Sequence, residues 1–212
     1  MSTTETKQKI LNTTMELIKE RGGDIDNVTI RMIADRAGIG VGLTNHYFKS
    51  KDLLITECVD SVFKDIFATF VNVNMAATSE GLTPIEIAKK AAASLMEFFF
   101  ENKEVARVAL LRDAHRPEEN DYTSRLINSF AYCMVDRRKL EAMLANDRMT
   151  EKMKLQFREH FVGEQRIKAF MLVSSIEEAF LRSESLQSTI GIDISDGEQR
   201  AEYLDELVEM LM

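Results

Sequence analysis

The sequence has no tryptophan, and it has only two prolines and two cysteines among 212 residues. So few prolines leave long stretches that can stay helical, because proline breaks a helix interior. Cys58 and Cys133 lie far apart within helical patterns, which favours two buried apolar side chains over a disulfide or a redox switch. No apolar run approaches the ~18 residues that span a bilayer, and the N-terminal segment lacks the apolar region of a signal peptide. We therefore expect a cytoplasmic protein with no membrane partner.

The net charge of −8 is unevenly distributed along the chain. Residues 1–55 carry eight Lys/Arg and seven Asp/Glu, whereas residues 56–212 carry nineteen and twenty-eight. The first part has a charge of +1 and the second part a charge of −9. A near-neutral first part can approach phosphate through a few placed cations, while the acidic second part is repelled by it. This asymmetry indicates two different roles within one chain.

Apolar residues recur at helical spacing along most of the chain, and no segment shows sustained alternation with a period of two. The pattern predicts an all-α protein, and the charged residues are spread as on solvated helix faces. Ser188–Gly197 reads as a loop, and the division of the last two long helical stretches stays open. The nine predicted helices cover residues 5–22, 29–37, 41–47, 51–74, 84–101, 103–114, 120–146, 150–184 and 197–211.

Residues 29–54 form the most informative pattern in the sequence. Thr29 is suited to cap a short helix, Gly38 to make a turn, and a second short helix ends at Phe48. This arrangement is a helix-turn-helix, which sets one helix in the DNA major groove. A generic small helical bundle would explain the apolar spacing equally well. It would not explain Asn45-His46-Tyr47, whose polar and aromatic side chains suit base edges and phosphates.

The order of residues in this part resembles the TetR (tetracycline-repressor-like) family of bacterial transcription regulators. The resemblance rests on Ile10-Leu11…Leu17-Ile18…Gly22, on Thr29-Ile30-Arg31-Met32-Ile33-Ala34-Asp35-Arg36-Ala37-Gly38-Ile39 and on Phe48-Lys49-Ser50-Lys51-Asp52-Leu53-Leu54. It implies an all-α fold in which an N-terminal three-helix DNA-binding head is joined by a long helix to a helical ligand-binding and dimerisation domain. We place the head at residues 1–54 and the second domain at residues 55–212.

The resemblance also implies which residues face DNA. Val41, Gly42 and Leu43 occupy the positions that approach base edges, and the two apolar side chains suit thymine methyl groups. His46 and Arg31 are candidates for base contacts, although a solvated surface histidine is the alternative for His46. The family usually has Tyr-x-His-Phe where this chain has Asn45-His46-Tyr47-Phe48, and Ser or Thr where it has Gly40. The residues expected to hold phosphates are Thr29, Asn45, Tyr47 and Lys51.

The second domain is rich in phenylalanine and methionine, which can line an adaptable apolar pocket. For each single residue, an ordinary packed core is the simpler explanation. The resemblance raises the pocket interpretation for the set as a whole. We expect a small, largely apolar effector to contact Met96, Phe99, Phe130, Met134 and Met171.

Two apolar helical stripes near the C-terminus fit one side of a four-helix interface between two subunits. Packing within a single chain is the alternative, and the resemblance favours the dimer. A two-fold dimer would let two heads read two half-sites of a palindrome. The residues expected in this interface are Phe170, Val173, Ile176, Phe180, Leu204, Leu207, Val208 and Leu211.

No arrangement of nucleophile and base, no phosphate-binding loop and no spaced cluster of metal ligands is evident in the sequence. We therefore expect neither an enzyme nor a bound metal or cofactor. The function implied is a repressor that binds a palindromic operator as a homodimer and is released by its effector. An activator, a ligand-dependent DNA binder and a helical interaction module that has lost DNA binding are the alternatives.

Overall fold

A computed structural model describes residues 3–145 and 149–212, apart from the side chains of residues 74–79. Every regular element in these residues is helical, so the predicted all-α fold class is confirmed. The described part contains eleven helices: α1 (Thr3–Glu20), α2 (Ile30–Ala37), α3 (Val41–Tyr47), α4 (Lys51–Glu80), α5 (Pro84–Glu101), α6 (Lys103–His115), α7 (Tyr122–Cys133), α8 (Arg137–Leu144), α9 (Glu151–Leu181), α10 (Ser183–Ile190) and α11 (Gly197–Leu211).

The single helix predicted over residues 120–146 is wrong, because the chain turns between α7 and α8. Asp136 begins the second helix by accepting a hydrogen bond from the backbone N–H of Lys139 at 3.0 Å. An aspartate in the middle of an apolar pattern competes with the helix for backbone donors and favours such a break. The end of the predicted helix, Asn146, lies outside the described residues.

The helix predicted over residues 150–184 also divides, because α9 ends at Leu181 and α10 begins at Ser183. The loop predicted over residues 188–197 starts later than expected, since α10 continues to Ile190. Gly191 then ends that helix in the left-handed conformation, at φ +79°. This is the conformation that glycine adopts without steric cost.

Contacts between residues divide the chain into two compact units. Unit 1 comprises Met1–Asp65 and Glu101–Pro117, and unit 2 comprises Ile66–Phe100 and Glu118–Met212. Unit 1 is larger than the predicted head at residues 1–54, because it includes the first half of α4 and the whole of α6. Helix α6 packs against α1 within this unit, and glycine at position 23 permits the backbone of Glu104 to approach closely.

The core of unit 1 forms where α1, α2 and α4 bury their apolar faces around one aromatic ring. Phe48 is fully buried at this centre, and the partly buried side chains of Ile39 and Tyr47 pack against its cluster. Burial of apolar area stabilises such a cluster by about 25 cal/mol per Å². The fully enclosed members are Ile10, Leu17, Val28, Ile33, Phe48, Leu54 and Cys58.

The core of unit 2 is organised around α9, which packs against α7, α8, α10 and α11. Phe99 and Phe180 meet with ring centroids 5.0 Å apart, and Phe70 and Phe130 meet edge to face at the same distance. Such pairs add to the stabilisation that burial already gives. Among the described residues, no helix is both long and apolar enough to cross a membrane.

Candidate nucleic-acid interface

The start of α2 is fixed by Thr29, as predicted. Its hydroxyl oxygen accepts a hydrogen bond from the backbone N–H of Met32 at 3.2 Å. This bond satisfies one of the donors left free in the first helical turn. The side chain is otherwise exposed, so Thr29 is accessible to a phosphate as well as serving as a cap.

The turn between α2 and α3 depends on Gly38. This residue lies in the left-handed region at φ +63°, and its N–H points to the carbonyl oxygens of Ala34 and Asp35. Ile39 then donates its backbone N–H to the Ala34 carbonyl at 2.9 Å and tucks its side chain against the unit 1 core. The turn therefore anchors the start of α3 and sets its direction.

Helix α3 has an inner side that is buried and an outer side that is open. Thr44 and Phe48 are fully enclosed. Gly40 precedes the helix without a side-chain cap, as expected from the missing hydroxyl. The exposed residues of the helix are Val41, Gly42, Leu43, Asn45 and His46. Two apolar side chains, an amide and an imidazole thus project from a helix that the core holds in place.

Lys51 at the start of α4 is half-buried, and its ammonium donates a hydrogen bond to the Ile25 carbonyl oxygen at 2.7 Å. An ammonium has three N–H donors, so this bond leaves donors for a phosphate. Tyr47 is also half-buried and lies edge to face with the ring of His46, at a centroid distance of 5.7 Å. Both side chains are therefore held in place by the fold.

Arg31 is highly exposed, and its closest acidic partner is Asp35 one turn later, at 3.9 Å. Exposed pairs of this length are weak and screened by salt, so DNA phosphates can compete for the guanidinium. Arg36 instead bonds both carboxylate oxygens of Glu20, at 2.9 and 3.0 Å. This hydrogen bonding by Arg36 lowers the pKa of the Glu20 carboxyl. Of these two arginines, Arg31 is therefore the more available one.

The five residues expected to contact an effector differ in their exposure to solvent. Met96, Phe99, Phe130 and Met134 are buried in the packed core of unit 2, whereas Met171 is half exposed at its surface. Their burial matches the ordinary-core alternative. A cavity of about 320 Å³ lies elsewhere in the same unit, between the α4–α5 loop and the start of α8.

Most of the residues expected at a dimer interface are enclosed within the chain. Of this set only Phe170 is largely exposed, at 55%, while Leu211 is partly exposed. The six others, which pack inside unit 2, are Val173, Ile176, Phe180, Leu204, Leu207 and Val208. For these six, the structure agrees with the alternative of packing within one chain.

Large apolar side chains nevertheless remain exposed on α9 and α11, and three of them, Ile167, Met171 and Met210, are additional to the residues predicted for the interface. Ile167 is 72% exposed, Met210 is 76% exposed, and Met171 lies beside Phe170 on the same helix. The two helices run antiparallel, since Lys168 reaches the carbonyl of Met212 and Tyr203 reaches that of Ser175. The apolar pattern of α9 is nearly continuous, so it did not show which side faces outward.

This chain is similar to known bacterial regulators in part of its sequence and in its fold. Residues 10–58 match the family model described as bacterial regulatory proteins, tetR family. No curated protein matches the chain. A TetR-like transcriptional regulator from Rhodococcus sp. RHA1 has a similar structure, with a TM-score of 0.58, 20% identity, and coverage of 99% of this chain and 96% of that one. A tetR-family transcriptional regulator from Streptomyces coelicolor has a TM-score of 0.54, 19% identity, and coverage of 100% and 80%.

The two solved structures share the fold over essentially the whole chain, and the family model covers the helix-turn-helix. The resemblance noted in the sequence is thus confirmed from two directions. Residues 10–58 of this chain therefore match the TetR family of bacterial regulatory proteins, and the whole chain has a TetR-like helical fold.

Proposed function

We propose that this protein is a transcriptional repressor that binds a palindromic operator as a homodimer and is released by a small effector. The observation that carries the proposal is the outer side of α3. Apolar, amide and imidazole side chains are exposed on this side. Thr44 and Phe48 are buried on the opposite side and fix the position of the helix. A short helix presented in this way is what a helix-turn-helix inserts into the major groove.

The chemistry of this side favours a mixed mode of recognition. Val41 and Leu43 can pack against thymine methyl groups, and His46 can bond a base edge. Asn45 and Lys51 can hold phosphates, which fix the position of the head but carry no sequence information. Specificity then depends on few hydrogen bonds, and a substantial share of affinity comes from salt-sensitive phosphate contacts.

The dimer is supported by the large apolar side chains that stay exposed on α9 and α11, namely Ile167, Phe170, Met171 and Met210. Exposed apolar patches with several large side chains mark interaction sites more often than isolated ones do. Because α9 and α11 are antiparallel neighbours, a two-fold axis through this patch would bury it against its own copy and form a four-helix interface. The enclosed residues of the same helices would support the interface from behind.

Release by an effector follows from a balance between two states of the dimer. A ligand that binds more tightly to the state with mismatched heads shifts the population toward that state. It can shift the balance only by its difference in affinity, so a change from 1:99 to 99:1 needs about a 10⁴-fold difference. The proposal takes the protein to be a repressor, and activation of transcription is the alternative to that part of it.

Selection from a pool of randomised DNA duplexes tests the proposal without knowledge of the target genes. The purified full chain should enrich two inverted half-sites whose centres lie one helical turn, or a multiple of it, apart. His46→Ala should relax the preference at one position in each half-site by about 1–3 kcal/mol.

His160→Ala is the matched control, because this histidine is also exposed but lies on α9 in unit 2. It should leave the selected sequence unchanged. Failure to enrich any sequence would refute the proposed operator binding. A helical interaction module would then be the favoured function. An unchanged preference in His46→Ala would contradict the base contact assigned to that residue.

A further inference from the structure

The cavity in unit 2 lies between the loop that joins α4 to α5 and the start of α8. Its volume of about 320 Å³ is at the small end of the range for ligand sites. The apolar part of its wall is formed by Leu82, Pro84, Ile87 and Val135. Two of these, Ile87 and Val135, are buried and belong to the packed interior, so the wall is rigidly supported.

Two polar groups of the wall are already engaged in helix caps. The hydroxyl of Thr83 donates to the carboxylate of Glu86 at 2.8 Å, and Glu86 in turn accepts the backbone N–H of Thr83 at 2.7 Å. Asp136 accepts the backbone N–H of Lys139 at the start of α8. These side chains therefore stabilise the two segments that frame the cavity.

Arg138 supplies a positively charged group at the rim. Its guanidinium donates a hydrogen bond to the Gly81 carbonyl oxygen at 3.2 Å. A Cβ at position 81 would lie only 2.7 Å from the same nitrogen, so glycine permits this approach. One acceptor does not saturate five N–H donors. The guanidinium is therefore oriented by the loop and keeps donors for a ligand, and Arg137 adds a second positive charge to the wall.

We propose that this cavity is the effector site and that it binds a short aliphatic monocarboxylate. The carboxylate would pair with Arg138, whose planar fork matches its two oxygens. The hydrocarbon chain would cover the apolar wall at Ile87 and Val135. Glu141 also lines the cavity, and its negative charge opposes the ligand and limits the affinity. This inference names the effector class and rests on the proposed function for its regulatory consequence.

The test measures hexanoate binding to the full chain by calorimetry, in the absence of DNA, with 1-hexanol as the uncharged comparison. We expect saturable binding of hexanoate and at least about tenfold weaker binding of hexanol, since charge-assisted hydrogen bonds contribute this much. Arg138→Gln should weaken hexanoate binding by about tenfold or more. Glu141→Gln should tighten it by up to about fivefold, because a like charge is removed.

Arg158→Gln is the matched control, since this exposed arginine lies on α9 and does not line the cavity. It should leave hexanoate affinity unchanged. Opposite responses in Arg138→Gln and Glu141→Gln cannot come from a general loss of folding. No saturable binding, equal binding of hexanol, or an unaltered affinity in Arg138→Gln would overturn the site.

A second arm separates this inference from the proposed function. Operator binding by the ligand-free protein tests the function alone, whereas calorimetry tests the cavity alone. Hexanoate at saturation should weaken operator binding by about fivefold or more, the low end of typical coupling. Binding of hexanoate with no change in operator affinity would overturn the effector role of this cavity.

Discussion

The ammonium of Lys51 and the carbonyl oxygen of Ile25 lie 2.7 Å apart in a hydrogen bond that joins the start of α4 to the segment before α2. Because the lysine is half-buried, its aliphatic stem is held against the protein while the charged end stays near solvent. One side chain thus fixes the entry to the helix-turn-helix and presents a cation beside it. A phosphate at this position would meet a charge that is already oriented.

Replacement of Lys51 by alanine should weaken operator binding and reduce its dependence on salt. Loss of one phosphate contact lowers the slope of log K against log salt by about 0.9. The lost bond to Ile25 should cost about 1 kcal/mol of stability, which denaturant unfolding measures separately. Lys19→Ala is the control, because this exposed lysine lies in the last turn of α1. An unaltered slope in Lys51→Ala would refute the phosphate contact.

Alanine substitutions at two glycines of the head should change stability in opposite directions. Gly38 has φ +63°, where an alanine costs about 1–2 kcal/mol. Gly42 lies within α3 with nothing within 4 Å of an added Cβ, so alanine there should stabilise the helix by up to about 1 kcal/mol. Urea unfolding of the two variants gives both values. A stabilised Gly38→Ala would mean that this turn is not left-handed.

The same Gly42→Ala variant also tests which side of α3 meets DNA. An added methyl group on the exposed side would enter the narrow space between helix and base edges. We therefore expect weaker operator binding by a protein that is more stable. Equal or tighter binding would place the contact surface on another part of the head.

Alkaline pH should destabilise the protein partly through Cys58. Burial raises the pKa of this thiol to about 12, so the folded protein keeps it neutral well above the pH at which the unfolded chain ionises. Well below the ordinary thiol pKa of about 8.5, both states are protonated and Cys58 has no effect on the pH dependence of stability. Between about pH 9 and 12 the thiolate forms only in the unfolded state, and unfolding becomes more favourable by up to about 1.4 kcal/mol per pH unit.

Urea unfolding at several alkaline pH values measures this contribution. The wild type should lose stability more steeply than Cys58→Ala, even though the alanine variant starts less stable because it leaves a small cavity. Lysine and tyrosine titrations are common to both proteins and cancel in the comparison. Parallel curves for the two proteins would show that Cys58 remains accessible to ionisation when folded.

A charge at Phe170 should prevent dimer formation without unfolding the subunit. The side chain is 55% exposed, so Phe170→Glu adds a charge to a surface rather than to the core. Leu155→Glu is the matched control, since Leu155 lies on the same helix and is 59% exposed. Sedimentation should give a monomer for the first variant and a dimer for the wild type and the control. A dimeric Phe170→Glu would exclude this patch from the interface.

The helix-turn-helix could be predicted from sequence because each of its parts has a local signal. The Thr29 cap, the Gly38 turn and the buried Phe48 depend on residues a few positions apart. The break after Cys133 was missed because apolar spacing continues across it, and only the cap at Asp136 marks the new helix. Local patterns therefore identify a helix more reliably than its end.

The surface of unit 2 was harder to predict, because it depends on contacts between distant helices. Val173 and Phe170 lie three positions apart on one helix, yet the first is buried and the second exposed. The cavity escaped prediction for a similar reason, since Ile87 and Val135 come together only when α5 and the α7–α8 turn pack. Neither segment carries a motif that indicates a ligand.

Footprinting of the purified protein on DNA flanking its own gene, at two salt concentrations, tests the central claim most directly. We predict a protected region with two inverted half-sites, lost at the higher salt as phosphate contacts weaken. Because the protein binds as a dimer, both half-sites should become protected over the same range of protein concentration. A single unpaired site, or the absence of protection at both salt concentrations, would contradict binding of this DNA by a dimeric operator complex.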